Sequence, residues 1–393
     1  MKMKKVLALI VSLMLVMSLA ACSGSTPAST APESDPASAP AGSGAGVDPA
    51  NYPPVDYEPA SAMGVGPNGE PAAALADFSF TEEELQQLKD SNFTAAISYH
   101  QLGDQCNMVK CEAAKATLEE LGIEVLAVTE AQLDDTVQVN QLETVLEMKA
   151  DALLVMPHNP AVCAPVLEKA YEQGTKLVFM ESIATGFTAG ENCTALVSSD
   201  GYGNGWQAAI MLAEQIGYKG TVAMVYYDAD YFVTNVRDQG FEECMAQNFP
   251  EITVVKSAFS DQEQCGTNGD ALMAQYPDLA GVYVSWEAPA EYIMASAKAV
   301  GRDDLAIVTI DLGDTSARSI ATGDMIKCSA TSRSWDQGVC EAYCAAYALL
   351  GKEVPSTYVT PVALPVDSSN LLEGYCASYG MDEAPQWLAD LMK

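Results

Sequence analysis

The feature that most constrains this chain is a rhythm of short apolar runs and amphipathic segments that is played once, interrupted, and played again. Apolar runs at 93–99, 124–128, 152–156 and 176–180 read as strands, and the stretches at 107–121, 137–148 and 160–173 between them carry apolar residues at helical spacing. The strands have no polar face, which suits a parallel sheet covered by helices on both sides. Gly122 and Gly174 stand where helices must stop before the next strand. Ahead of the first strand, Thr81 followed by Glu82, Glu83 and Glu84 predicts a capped helix to about 88. The second passage has strands at 220–226, 252–258, 280–284 and 305–310 and helices at 233–248, 266–275 and 288–300. Segments at 315–322, 325–329, 335–350 and 358–366 complete it. The expected fold class is therefore α/β, with two doubly wound parallel-sheet lobes and right-handed crossovers.

The interruption is the stretch 195–217, ALVSSDGYGNGWQAAIMLAEQIG. A buried strand at 196–198 leaves through small and polar residues, Asp200 or Asn204 can cap, and 206–216 continues as a helix. Gly201, Gly203 and Gly205 lower the cost of unusual backbone angles in such a crossing. A crossing between lobes implies a cleft.

At the N-terminus, Lys2, Lys4 and Lys5 precede an apolar run at 6–20 that is shorter than a bilayer span and ends in small residues. It predicts a signal peptide over 1–21. Leu19, Ala20, Ala21 and Cys22 resemble the lipobox of bacterial lipoproteins, which implies lipidation of Cys22, attachment to the outer face of the cytoplasmic membrane and an extracytoplasmic location. The Pro-, Ala-, Ser- and Gly-rich stretch that follows cannot bury a face and predicts a flexible tether over 22–75. About 320 residues remain, which suits two lobes rather than one core.

With 53 Asp and Glu against 19 Lys and Arg, the chain has no basic stripe with which to release counterions, so a nucleic-acid partner is excluded. Ten cysteines besides Cys22 form an even set that predicts structural disulfides in an exported domain. Two histidines, and no paired CxxC, leave no expected metal site. No cofactor is expected.

In open α/β sheets the carboxyl ends of the strands carry the binding residues. Here those ends hold His100, Asp104, Gln105, Glu181, Asp200, Tyr231, Phe259, Trp286, Glu287 and Asp311. Polar planar groups beside aromatic faces suit a monosaccharide or polyol, whose hydroxyls take hydrogen bonds while its C–H faces lie on rings. A competing reading makes several of them helix caps.

The strings AAISYHQLGD, DALLVMPHNP, KLVFMES, VSSDGYGNG, VRDQGF, IVTIDLGD and SRSWDQG occur in this order between residues 92 and 370. In order and spacing they resemble the type 1 periplasmic binding protein family, in particular its sugar-binding group of ribose and galactose binders. The resemblance implies two similar lobes joined by three crossovers, closing on a ligand that is delivered to the permease of an ABC importer. It implies an N-terminal lobe of 76–199 plus 333–362 and a C-terminal lobe of 200–332 plus 363–393. By position it puts Glu181 on a sugar-gripping carboxylate, Arg237 on the arginine of RxxGF, Phe259 on a stacking ring, Asp311 on the acid closing its strand, and Arg333 on a polar group reaching in from a crossover. The chain departs from ribose binders in having Gln105 and Cys106 where two aromatics stand, Ser182 after the acid, and Trp286 before Glu287. Stacking is thereby expected on Trp286, with Tyr231 or Trp335.

No GxSxG, HExxH, Walker or dinucleotide-binding sequence is present, so an enzyme is not expected. Two other classes share these residues. A glycosidase would use a pair such as Glu181 and Asp311, and a receptor subunit would report the ligand to a membrane sensor.

Overall fold

The computed structural model describes residues 55–57, 61–229 and 231–393, all within one structural unit. The expected signal peptide, Cys22 and most of the expected tether lie outside the described residues.

Seven strands form the first sheet: β1 (Ala72–Ala73), β2 (Thr94–Tyr99), β3 (Glu124–Glu130), β4 (Ala152–Val155), β5 (Lys176–Met180), β6 (Ala195–Val197) and β12 (Tyr358–Val359). All are parallel, in the order β1-β12-β6-β5-β4-β2-β3. The second sheet holds β7 (Gly220–Tyr227), β8 (Ile252–Phe259), β9 (Leu279–Val284), β10 (Ala306–Ile310), β11 (Ile326–Thr331) and β13 (Leu364–Val366) in the order β13-β11-β10-β9-β7-β8. Only β13 runs antiparallel to its neighbour there. The run β6-β5-β4-β2-β3 and the run β11-β10-β9-β7-β8 are the same topology twice. Strands such as β4 and β10 are buried along their whole length, as expected for sheets covered on both faces.

The helices are α1 (Glu82–Asp90), α2 (Gln105–Glu120), α3 (Asp135–Met148), α4 (Pro160–Glu172), α5 (Gly201–Gln215), α6 (Phe232–Asn248), α7 (Gln264–Gln275), α8 (Glu287–Ala299), α9 (Asp314–Thr322), α10 (Ser334–Leu350), α11 (Leu371–Tyr379) and α12 (Gln386–Leu391). Thr81 caps α1 with Glu84 in a capping box, and Gly122 and Gly174 adopt positive φ between helix and strand. Three connections pass between the sheets: 198–200 from β6 to α5, 332–333 from β11 to α10, and 360–363 from β12 to β13. Although it follows β11, α10 packs on α2 and the first sheet, and α5 packs on α6 and the second.

The run at 358–366 divides into β12 in one sheet and β13 in the other. Three expectations are corrected. Gly201, Gly203 and Gly205 are helical rather than turn residues, and they serve close packing. A Cβ on Gly205 would stand 1.7 Å from the Arg237 carbonyl oxygen, and one on Gly240 would stand 2.2 Å from that of Tyr202. The expected tether boundary at 75 falls inside ordered structure, because Ala72–Ala73 extends the first sheet beside β12. Finally, the ten cysteines among the described residues are free thiols. Eight of them are buried, where a thiol packs as a small apolar group; Cys111, Cys340 and Cys344, for example, belong to one core cluster with Leu118 and Tyr347.

Candidate functional site

Glu181 follows β5 and Asp311 follows β10, equivalent strands of the two sheets. Both adopt a left-handed backbone, with φ of 60° and 68°. For a glutamate such as Glu181 this is uncommon, while an aspartate such as Asp311 adopts it more readily; strain of this kind collects at functional sites.

In the first lobe Glu181 is buried against a second charge. Lys110 Nζ on α2 lies 2.5 Å from Glu181 Oε1, which also accepts from Gln337 Nε2 at 2.9 Å. Glu181 Oε2 accepts from the Ser198 hydroxyl at 2.7 Å and the Ser199 amide at 3.3 Å. Burial alone would raise the pKa of Glu181; the Lys110 charge and these hydrogen bonds outweigh it and hold the carboxyl at about 2. Burial opposes the Lys110 charge in turn, and Glu181 and Asp311 overcome that and push its pKa up. Behind the pair, Gln337 bonds Glu341 Oε1 at 3.3 Å. Burial, with Glu181 adding to it, lifts the Glu341 carboxyl to about 8 against the pull of Lys110, so it is mainly protonated at neutral pH.

The second lobe repeats the device with looser geometry. Arg237 occupies on α6 the place that Lys110 has on α2, and its Nη1 lies 3.9 Å from Asp311 Oδ2. The same nitrogen donates to the Ser285 carbonyl at 2.8 Å. Arg237 is only 6% exposed, yet its Nε has no partner. Its neighbour Asp238 is held by Tyr283 and Ser285 hydroxyls at 2.9 and 2.7 Å. Tyr231, at the start of α6, has its phenol pushed well up by burial and then by Glu181, while Lys110 and Arg237 pull the other way. The phenol thus senses charges from both lobes.

The remaining expected residues divide by what already engages them. Asp104 caps α2 through the Asn107 amide at 2.7 Å and also takes the side chains of Asn107 and Gln101. Gln105 reaches across the cleft to Asp314 and the Tyr375 hydroxyl, each at 3.4 Å. The His100 ring meets His158 edge-on, its Nδ1 is buried without a partner, and burial lowers its pKa to about 4. Asp200 accepts from the amides of Met63, Gly64 and Gly203 at 2.9, 3.0 and 3.1 Å, so it serves the chain's own backbone. Glu287 accepts from the Ser316 amide at 2.8 Å and caps α9, and burial raises its carboxyl to about 7. Phe259 is 1% exposed and packs with Tyr227 against Trp286, so the ring available to a ligand is the half-buried Trp286. Arg333 sits on the second connection and draws down the Asp336 carboxyl, which burial otherwise raises.

Sequence reasoning missed Lys110, Gln337 and Ser198, while Ser199 stands among the strand-end residues beside Asp200. Lys110 had a signal: with Asn107, Ala114 and Leu118 it falls on the buried stripe of α2. Buried side-chain atoms left unpartnered among the described residues include His100 Nδ1 and Ser199 Oγ, which follow strands of the first sheet, Arg237 Nε on α6 and Gln337 Oε1 on α10. Buried polar groups are normally satisfied, so these atoms stand out.

Two helix-covered sheets of matching topology, joined by three connections, define a two-lobed α/β fold. A family model described as periplasmic binding protein domain matches residues 80–353. The chain belongs to the periplasmic binding protein family, and its fold is that of type 1. It is 25% identical over 231 residues to the ribose import binding protein RbsB of Bacillus subtilis (strain 168), covering 57% of this chain and 74% of that one. A solute binding protein of an ABC transporter from Mycobacterium smegmatis, solved with glycerol, shares the fold at a TM-score of 0.63 and 24% identity, covering 71% of this chain and 95% of that one. One from Agrobacterium vitis, bound with alpha-D-tagatopyranose, does so at 0.64 and 23%, covering 71% and 96%.

Proposed function

We propose that this chain is an extracytoplasmic solute-binding lipoprotein that captures a small sugar or polyol between its lobes and delivers it to an ABC permease. The observation that carries this reading is the contrast between the two matched charge pairs. Lys110–Glu181 is closed at 2.5 Å, and the carboxylate has four donors on its two oxygens, so its acceptor capacity is filled. Arg237–Asp311 stands open at 3.9 Å with a buried donor unpartnered. On this reading a diol lies beside the pair, one hydroxyl accepting from Arg237 and another donating to Asp311, while a C–H face lies on Trp286. The four charges sum to zero, which favours a neutral ligand over an ion. The ligands named for the two solved relatives, glycerol and a ketose, are of this kind.

Glycoside cleavage would need one carboxyl protonated near neutral pH and placed on the glycosidic oxygen. Glu181 is held ionised and saturated, and Glu287, whose pKa is raised to about 7, is engaged by α9. The test is a thermal shift screen of the purified protein against pentoses, hexoses, polyols, sugar acids, nucleosides and amino acids. A neutral sugar or polyol should raise Tm; a hit confined to amino acids would reject the reading.

A further inference from the structure

The family match begins at residue 80, and the described residues before it make contacts on both lobes. Val55 packs against the core of the second lobe, and the Tyr57 hydroxyl donates to Asp367, just past β13. The amides of Met63 and Gly64 bind the Asp200 carboxylate, which lies on the first connection and is also reached by the Ala363 amide on the third. A tight turn follows, with Val65 bridging to Pro71 and Gly69 at positive φ. Gly66 lies so close to Tyr358 that a Cβ there would meet its ring at 3.0 Å. Ala72 and Ala73 then pair in parallel with β12, the Ser356 hydroxyl donates to the Pro71 carbonyl at 2.5 Å, and Thr360 N donates to the Ala73 carbonyl at 2.8 Å. Ala73 and Phe78 finish in the core of the first lobe.

We infer that residues 61–78, together with 55–57, act as a strap across the hinge, a fourth link between the lobes that holds them in the closed arrangement. Any opening rotates the lobes about 198–200, 332–333 and 360–363. The strap is fixed on both sides of that axis: by a strand ladder and core contacts in the first lobe, by Val55 and Tyr57 in the second, and by Asp200 between them. Its bonds coexist with the contact of Gln105 to Asp314 and Tyr375 across the cleft, so they are made in the closed arrangement. Opening must either break the Asp200 and Tyr57 bonds or drag the segment. A link of this kind biases a two-state equilibrium by whatever contacts it makes in one state and loses in the other. The inference goes beyond the ligand reading, and its test needs no ligand.

The test uses the full chain with a specific protease site inserted between Ala60 and Ser61, folded intact and then cut. A second protein carries the same site between Gly46 and Val47, ahead of the strap. Cutting after Ala60 should enlarge the ligand-free radius of gyration by small-angle scattering. It should also speed hydrogen exchange at the Met63 and Gly64 amides by about tenfold or more, as their local opening becomes easier. Cutting after Gly46 should change neither. Tyr57→Phe, which removes one anchor without touching a core, should shift both readouts in the same direction by less. Unchanged scattering and exchange after the cut at Ala60, or an equal change after the cut at Gly46, would overturn the inference.

Discussion

Lys110 and Glu181 show how a single residue can be both essential and hard to read. An acid that ends an apolar strand is visible in sequence, because leaving it there without partners would be costly; Glu181 and Asp311 were legible for that reason. The partner was not, since a lysine within a helix reads by default as surface. Lys110→Met should leave the Glu181 charge buried beside hydrogen bonds alone, costing about 3–5 kcal/mol of stability as breaking one side of a buried pair does. Denaturant melts of the variant would show it, and a midpoint equal to the parent's would mean the pair is not formed. Glu341 supplies a pH prediction. Its pKa is raised when folded, so it favours folding below its ordinary value near 4.5 and that contribution is lost as pH rises toward about 8. Glu341→Gln should therefore flatten the decline in stability between pH 5 and 8, with its largest relative gain at pH 8. Parallel stability profiles for parent and variant would contradict the assignment.

At the scale of elements, each cation is placed by a glycine on a neighbouring helix. Gly338 of α10 faces the carbonyl of Lys110 itself, where a Cβ would stand 2.2 Å away, and Gly205 of α5 faces that of Arg237 at 1.7 Å. The absent side chains let α10 lie on α2 and α5 lie on α6, so the helix that crosses between lobes also sets the position of the charged residue on its partner. Gly205→Ala gains about 1 kcal/mol of intrinsic helix propensity. That gain is outweighed, because the added methyl collides with backbone rather than a movable side chain, an overpacking of about 1–3 kcal/mol or more. The variant should melt lower, by about 2–4 °C per kcal/mol lost. An unchanged or higher Tm would show that the helices can separate freely. The strands and most helices were legible from periodicity and from glycines such as Gly122 and Gly174. The helical glycines of 201–205 were not, because alternate glycines after a strand carry the same local signal whether they turn the chain or admit a second helix.

On the scale of the whole molecule, the repeated topology was legible because the rhythm of strands and helices is itself duplicated. Which candidates would face a ligand was less so: Asp104, Asp200 and Glu287 are acids at strand ends like Asp311, and their backbone partners, which sequence does not show, mark them as caps. The free thiols were hidden for a related reason, since an even cysteine count says nothing of whether any two meet. Membrane attachment belongs at this scale as well. The LAAC sequence ending at Cys22 predicts that Cys22→Ala moves the protein from the membrane fraction to the soluble one, and retention as an uncleaved precursor would point to a signal anchor instead. The central claim is that the cleft grips its ligand through the open Arg237–Asp311 pair. Calorimetry of the best hit from the screen, on the parent and on Asp311→Ala, tests it most directly. The account predicts a loss of about 1.5–3 kcal/mol, roughly ten- to a hundredfold in affinity, in a protein that remains folded; full affinity in Asp311→Ala would contradict it.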